Sequence, residues 1–170
     1  MKITVIGGTG MVGSATVTEA AGRGHEVVSA SRSGHHAEGA TQDVTLTLAD
    51  TQAVVDLINS SDATVITVSA GRGESAQPVI DAHRALIAAA PTGRLIVVGG
   101  AGSLLTPDGT RLVDTPGFPE EYKTEALAFA EVLDLYREAG SALSWTLLSP
   151  APEFTDKPRT GTYTEGGDQP

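Results

Sequence analysis

The chain has 170 residues, no cysteine, 40 % apolar and 19 % charged residues, and a formal net charge of −10. That length suits one domain with one substantial core, and the missing cysteines exclude disulfides, thiolate nucleophiles and Cys-ligated metals. So acidic a chain is a poor partner for nucleic acid or anionic lipid, because neutralising phosphate needs clustered Lys and Arg; any phosphate must be held locally, against the overall field.

In chain order, Ile3 to Ile6 reads as a buried strand and Gly7 to Gly10 as a breaker. Met11 to Arg23 reads as a helix, with Met11, Val12, Ala15, Val17 and Ala20 on or near one face, stopped by Gly22 and Gly24. Glu26 to Ala30 is a second strand and Ser31 to Gly39 a polar loop. Asp50 to Ile58 fits a helix capped by Asp50 or Thr51. Ala63 to Val68 is a third strand, rich in β-branched residues and expected to be buried on both faces. Ser75 to Ala90 is a helix with Pro78 near its first turn. Arg94 to Val98 is a fourth strand, Leu104 to Glu120 a loop, and Glu121 to Ala139 a long helix. Ser144 to Leu148 is a fifth strand closed by Ser149-Pro150, and Ala151 to Pro170 is polar.

Strands alternating with helices predict an α/β fold: a doubly wound parallel sheet of order 3-2-1-4-5 with right-handed crossovers and helices on both faces. Ligands then bind at the carboxyl ends of the strands, where the order reverses beside strand 1. No apolar run approaches the roughly 18 residues that cross a bilayer. The Met1 to Gly10 stretch turns to glycine too soon for a signal peptide, and aromatics are too few for a base-stacking platform. The expectation is one domain over 1–170, in the cytoplasm, acting on a small molecule as a monomer or homodimer, with no membrane or nucleic-acid partner and no metal.

The informative segment is ITVIGGTGMVGSATV. Gly8, Gly10 and Gly13 match G-x-G-x-x-G, and Gly7, Gly10 and Gly13 match the wider G-x-x-G-x-x-G. A sharp turn out of a strand favours a residue free to take positive φ. A side chain at Gly10 would hold a pyrophosphate away from the backbone, and Gly13 lets the helix pack closely on the sheet. The N–H groups from Thr9 through Met11, Val12 and Gly13 then face the anion. The motif follows a predicted strand and opens a predicted helix, the context that a Rossmann-type dinucleotide site requires.

An NAD-selective site places Asp or Glu near the end of strand 2. Here that region reads Val28-Ser29-Ala30-Ser31-Arg32-Ser33, and Glu26 stands at the wrong end. Arg32 is placed to meet a 2′-phosphate, with Ser31 and Ser33 as hydroxyl donors, so the expected cofactor is NADP(H), with NAD(H) second. Asp43 and Val44 are either an adenine acceptor with its apolar face or an ordinary turn, and the sequence leaves both open. His35 and His36 lack the spaced partners of a metal site.

The chain resembles the atypical short-chain dehydrogenase/reductases, in the NAD(P)H-binding group described as NmrA-like or NADH-flavin reductases, with the biliverdin-reductase-B/flavin-reductase type nearest. The matching strings are MKITVIGGTGMVG, SRS, RLIVVGGAGSL, LVDTPGFPEEYKTEALAFAE and WTLLSPAPEF followed by RTGTY. The resemblance implies a Rossmann core, a segment over 150–170 that helps form the substrate side, and reduction of flavins or similar conjugated acceptors. It also implies a chain that continues past the region of Tyr163 to Asp168 with another strand and helix, whereas this one stops at Pro170.

Typical members use Tyr-x-x-x-Lys, where helical spacing lets the Lys lower the Tyr pKa. Here Tyr122 and Lys123 are adjacent and position 126 is Ala. Tyr122 as proton donor, Lys123 on cofactor ribose or phosphate, and Ser103 polarising the substrate are the candidates for chemistry; packing or solvated roles remain open for each. Ser69, Ala70 and Gly71, with Arg72, are expected to border the dinucleotide, and Pro150 to lie by the nicotinamide. Trp145 is assigned to the core, Phe154 either covers the substrate pocket or caps the core, with the core favoured, and Arg159 either approaches the substrate or is solvated. Two readings follow: an NADPH-dependent reductase, or a non-catalytic NADP(H)-sensing module.

Overall fold

A computed structural model describes residues 1–71, 75–155 and 160–167. Six strands form one parallel sheet: β1 (Lys2–Ile6), β2 (Glu26–Ser31), β3 (Gln42–Thr45), β4 (Ala63–Ile66), β5 (Leu95–Val98) and β6 (Trp145–Leu148), in the order β3-β2-β1-β4-β5-β6. The helices are α1 (Met11–Gly22), α2 (Thr51–Asn59), α3 (Gln77–Ala88) and α4 (Glu120–Ala139). Numbered along the chain, the order is the expected 3-2-1-4-5 extended to six, but the added strand is Gln42–Thr45: it takes the edge beside β2, and the Ala63 to Val68 segment expected there lies beside β1 instead. β4 lies beside β1, so the order reverses there. β3 is four residues of mostly polar sequence on the sheet edge, and only its pairing with β2, Val28 opposite Gln42 through Ser31 opposite Thr45, makes it a strand.

Alternation along the strands separates two faces. Ile6, Ala30, Ile66, Leu95 and Val97 join Val54, Val55 and Ile58 of α2, Ile80 and Leu86 of α3, and Phe129, Val132 and Tyr136 of α4 in the larger core cluster. Val5 and Val27 point the other way and meet Val17 and Ala20 of α1 and Ala37 of the β2–β3 loop. Helices thus lie on both faces, but unequally. That loop takes the place of a helix: Gly39, at φ +93°, lies against Ala21 of α1. On α1's side of β4 to β6, Val65, Ile96 and Val98 are only half-buried and Leu148 is 56 % exposed.

Asp50 precedes α2 as expected, but its carboxylate accepts from Thr47 N–H (2.6 Å) and Thr47 Oγ1 (3.0 Å) instead of capping the helix. Trp145 packs on the core as expected, 5.4 Å from the Tyr136 ring, with Nε1 donating to the Gly140 carbonyl at 3.0 Å. Phe154 does not: it is 51 % exposed and borders a surface pocket with Met11 and Val12 of α1, on the face opposite Phe129, Tyr136 and Trp145.

His83 of α3 is fully buried against α4, its Nδ1 3.2 Å from Tyr136 Oη, while Nε2 finds no partner among the described residues. Burial lowers its pKa from 6.5 to about 4 and raises that of Tyr136. A folded-state pKa below the unfolded value means that the unfolded chain takes up the proton first. Stability from this group is full above pH 6.5 and is lost as pH falls toward 4. Chemical denaturation at pH 7 and pH 5 should show the wild type losing ~2 kcal/mol more than His83→Phe; equal losses would remove His83 as the source.

Candidate dinucleotide site

The turn after β1 is tied to both neighbouring strands. The Ile6 carbonyl accepts from Thr67 N–H (2.8 Å) and Thr67 Oγ1 (3.0 Å) just past β4. Gly7 and Gly8 N–H both donate to the Ala30 carbonyl of β2, at 2.8 and 3.1 Å. Gly7, at φ +92°, is the residue that makes the turn, which decides between the two glycine registers. Gly8 is required by space, since its missing Cβ would strike Ser29 Oγ. At Gly13 a Cβ would strike the Gly7 carbonyl and Thr67 Oγ1, so α1 starts pressed against the turn. At Gly10 a Cβ would meet only the Gly7 carbonyl, at 3.3 Å. Its missing side chain leaves room on the outside of the protein, where a ligand would lie.

The first intrahelical bond of α1 runs from Ser14 N–H to the Gly10 carbonyl at 2.8 Å. The N–H groups of Met11, Val12 and Gly13 come before it and must find acceptors outside the helix. Gly10 offers no side-chain cap and the first turn holds no acidic residue. Among the described residues neither a side-chain cap nor a first-turn carboxylate meets the positive end of the helix, which suits an anion site. Residues Gly7, Thr9, Gly10, Met11, Val12 and Gly13 fit a bound pyrophosphate. Thr9, Gly10 and Met11 are exposed.

At the end of β2, Ser31 is buried and its Oγ accepts from Gly34 N–H (3.1 Å), while Ser33 Oγ accepts from His35 N–H (3.3 Å). These bonds shape the loop that carries the exposed Arg32, which has no ion pair among the described residues. Glu26 starts β2 beside Lys2, at the far end of the strand. Asp43 lies on β3, where its carboxylate accepts from His36 Nδ1 (2.6 Å) and Ala37 N–H (3.1 Å). The His36 bond, with that from Ala37, holds its carboxyl below the usual aspartate range. Val44 is half-buried against the core.

Beyond β4, Ser69 Oγ donates to Glu125 Oε1 of α4 at 2.5 Å and accepts from Gly71 N–H at 3.1 Å. Ala70 points into the core and Gly71 turns the chain at φ +82°. Beyond β5, Ser103 is buried in a short turn, with Oγ 3.3 Å from both the Gly100 carbonyl and Ser149 Oγ. Ser149 and Pro150 follow β6 and are half-buried. Tyr122 lies 42 % exposed in the first turns of α4, and Lys123 pairs with Glu120 at 3.5 Å. Ala126, where a Tyr-x-x-x-Lys lysine would stand, is buried against Gly102. Arg72 and Arg159 lie outside the described residues.

The structure thus brings the glycine turn, the β4 loop and the start of α4 together around the reversal point. Sequence reasoning missed Thr67 and Glu125. Both act through contacts more than 50 residues apart in the chain, and nothing in a β-branched run or an Ala-rich helix marks them. Among the described residues, no helix is long and apolar enough to cross a membrane, and no three His, Asp or Glu converge closely enough to hold a metal.

The profile of a family described as NAD(P)H-binding matches residues 7–170. The uncharacterized protein YwnB of Bacillus subtilis is 40 % identical over 175 residues, spanning 99 % of this chain and 80 % of its own. The crystal structure of a candidate NADH-flavin reductase from Streptococcus pneumoniae is 36 % identical, with a TM-score of 0.87 over 99 % of this chain and 81 % of that one. A candidate epimerase from Bacteroides thetaiotaomicron is 28 % identical, with a TM-score of 0.83 over 99 % and 79 %. The open helix start behind the glycine turn, and a profile match that runs from that turn to the last residue, place this chain in the NAD(P)H-binding family.

Proposed function

We propose that the protein is an NADPH-dependent reductase that delivers hydride to a flavin, quinone or similar conjugated acceptor. The observation that carries the reading is the start of α1, which has no side-chain cap and no first-turn carboxylate and is open to solvent at Gly10. A bound dihydronicotinamide supplies the hydride; the chain binds and orients it. In this reading Met11, Val12 and Gly13 N–H hold the pyrophosphate, Arg32 with Ser31 and Ser33 meets the 2′-phosphate, and Asp43 and Val44 border the adenine. Ser69, Gly71 and Pro150 flank the nicotinamide half. The resemblance to a protein named for NADH-flavin reduction supports the reaction class; the phosphorylated cofactor is inferred from the exposed Arg32 and the absence of a carboxylate at the end of β2.

Tyr122, Lys123 and Ser103 are the candidates for handling a proton or polarising the acceptor. Hydride transfer to a flavin relies chiefly on stacking and alignment, so a site with Ala126 in place of a lysine suffices. That same Ala126 favours the second reading, a non-catalytic NADP(H)-sensing module of the NmrA-like kind.

Absorbance assays with FMN, riboflavin and quinones should show NADPH consumed. Dinucleotide binding without turnover on any of them would leave the sensing module. Arg32→Ala should raise the NADPH Kd about tenfold or more and leave that for NADH within about twofold; equal losses for both would detach Arg32 from the 2′-phosphate. Gly10→Ala, whose Cβ would lie 3.3 Å from the Gly7 carbonyl and near no other protein atom, should cost some melting temperature but stay folded, and weaken NADPH binding at least about tenfold. Unchanged calorimetric affinity in that variant would separate the glycine turn from cofactor binding.

A further inference from the structure

The crevice at the carboxyl ends of β1, β4 and β5 has two walls that lie far apart in the chain. One is the loop from Thr67 to Gly71, and the other is the start of α4. Each is anchored from behind: Ala70 is buried in the core, and Ala126 lies against the Gly102 turn. Across the front Ser69 Oγ donates to Glu125 Oε1 at 2.5 Å. The same oxygen accepts the N–H of Gly71, the residue that turns the loop at positive φ. The hydroxyl is thus donor to one wall and acceptor from the other, and an ionised carboxylate acceptor makes the first bond short and strengthens the second. Glu125 is three residues from Tyr122 and four from Phe129, the spacing of one helix face, so it stands on the side of α4 that looks onto the sheet's end.

We propose that Glu125 is a positioning residue of the dinucleotide site, acting through Ser69. It holds the Ser69 hydroxyl and the Gly71 turn in the one arrangement that the nicotinamide half of the cofactor meets. This rests on the dinucleotide-binding reading above. It assigns the carboxylate no proton transfer.

Two variants and two measurements test it. Glu125→Ala should weaken NADPH binding about tenfold by calorimetry, the effect of losing one charge-assisted hydrogen bond. In the dinucleotide-free protein it should also speed hydrogen exchange at the Gly71 amide. Glu125→Gln, whose amide oxygen still accepts from Ser69, should restore affinity to within about threefold and most of the protection at Gly71. Unchanged affinity and exchange in Glu125→Ala would overturn the assignment, and so would a glutamine variant as weak as the alanine one. Wild-type protein that binds no dinucleotide would sink the reading underneath, whereas equal NADPH affinity in wild type and Glu125→Ala would sink only the role given to Glu125.

Discussion

The site depends on how closely the start of α1 approaches the turn after β1. The Gly7 carbonyl occupies the space where any side chain at position 13 would stand, and the Ile6 carbonyl just before it is held twice by Thr67. The turn is therefore fixed from β2 through the Ala30 carbonyl, from β4 through Thr67 and from α1 through Gly13. None of these contacts consumes the N–H groups of Met11 and Val12. A rigid turn that leaves donors unpaired is preorganised for an anion, because no reorganisation is needed when the charge arrives.

This local arrangement has to act against a chain of net charge −10. No carboxylate lies in the first turn of α1, and Glu26 stands at the far end of β2. Asp43, the nearest carboxylate on β3, is occupied by His36 and the Ala37 amide. At the other end of the crevice the same logic is reversed, with Glu125 turned to use on Ser69. The electrostatics of the site are set by placement, and the overall charge says little about them.

The sheet is covered unevenly. Three helices close one face, and on the other α1 and the loop from Arg32 to Thr41 reach only as far as β1. A parallel sheet is stable when both faces are buried, and the half-buried Val65, Ile96 and Val98 mark where that cover thins. The crevice lies at the strand ends, and its α4 wall is braced by Phe129, Val132 and Tyr136.

Much of this was legible in the amino-acid order itself. The alternation of β-branched runs with Ala-rich helical stretches determined the fold class, and the glycine spacing marked the turn that we propose holds the pyrophosphate. The want of a carboxylate after Val28 is the local signal behind the proposed phosphorylated cofactor. These are local signals, carried by backbone freedom and side-chain periodicity within a dozen residues. Tertiary structure alone decided the rest. Gln42 to Thr45 is a strand only because β2 offers it a free edge, and Gly7 rather than Gly8 bears the positive φ because Ala30 holds both amides. Phe154 is left outside the core, beside α1, by the path of the chain after β6. Thr67 and Glu125 become part of the site through partners 61 and 56 residues away. Hydrogen bonds over such separations leave no periodic mark on a sequence, since what selects their partners is the packing of the sheet and its helices.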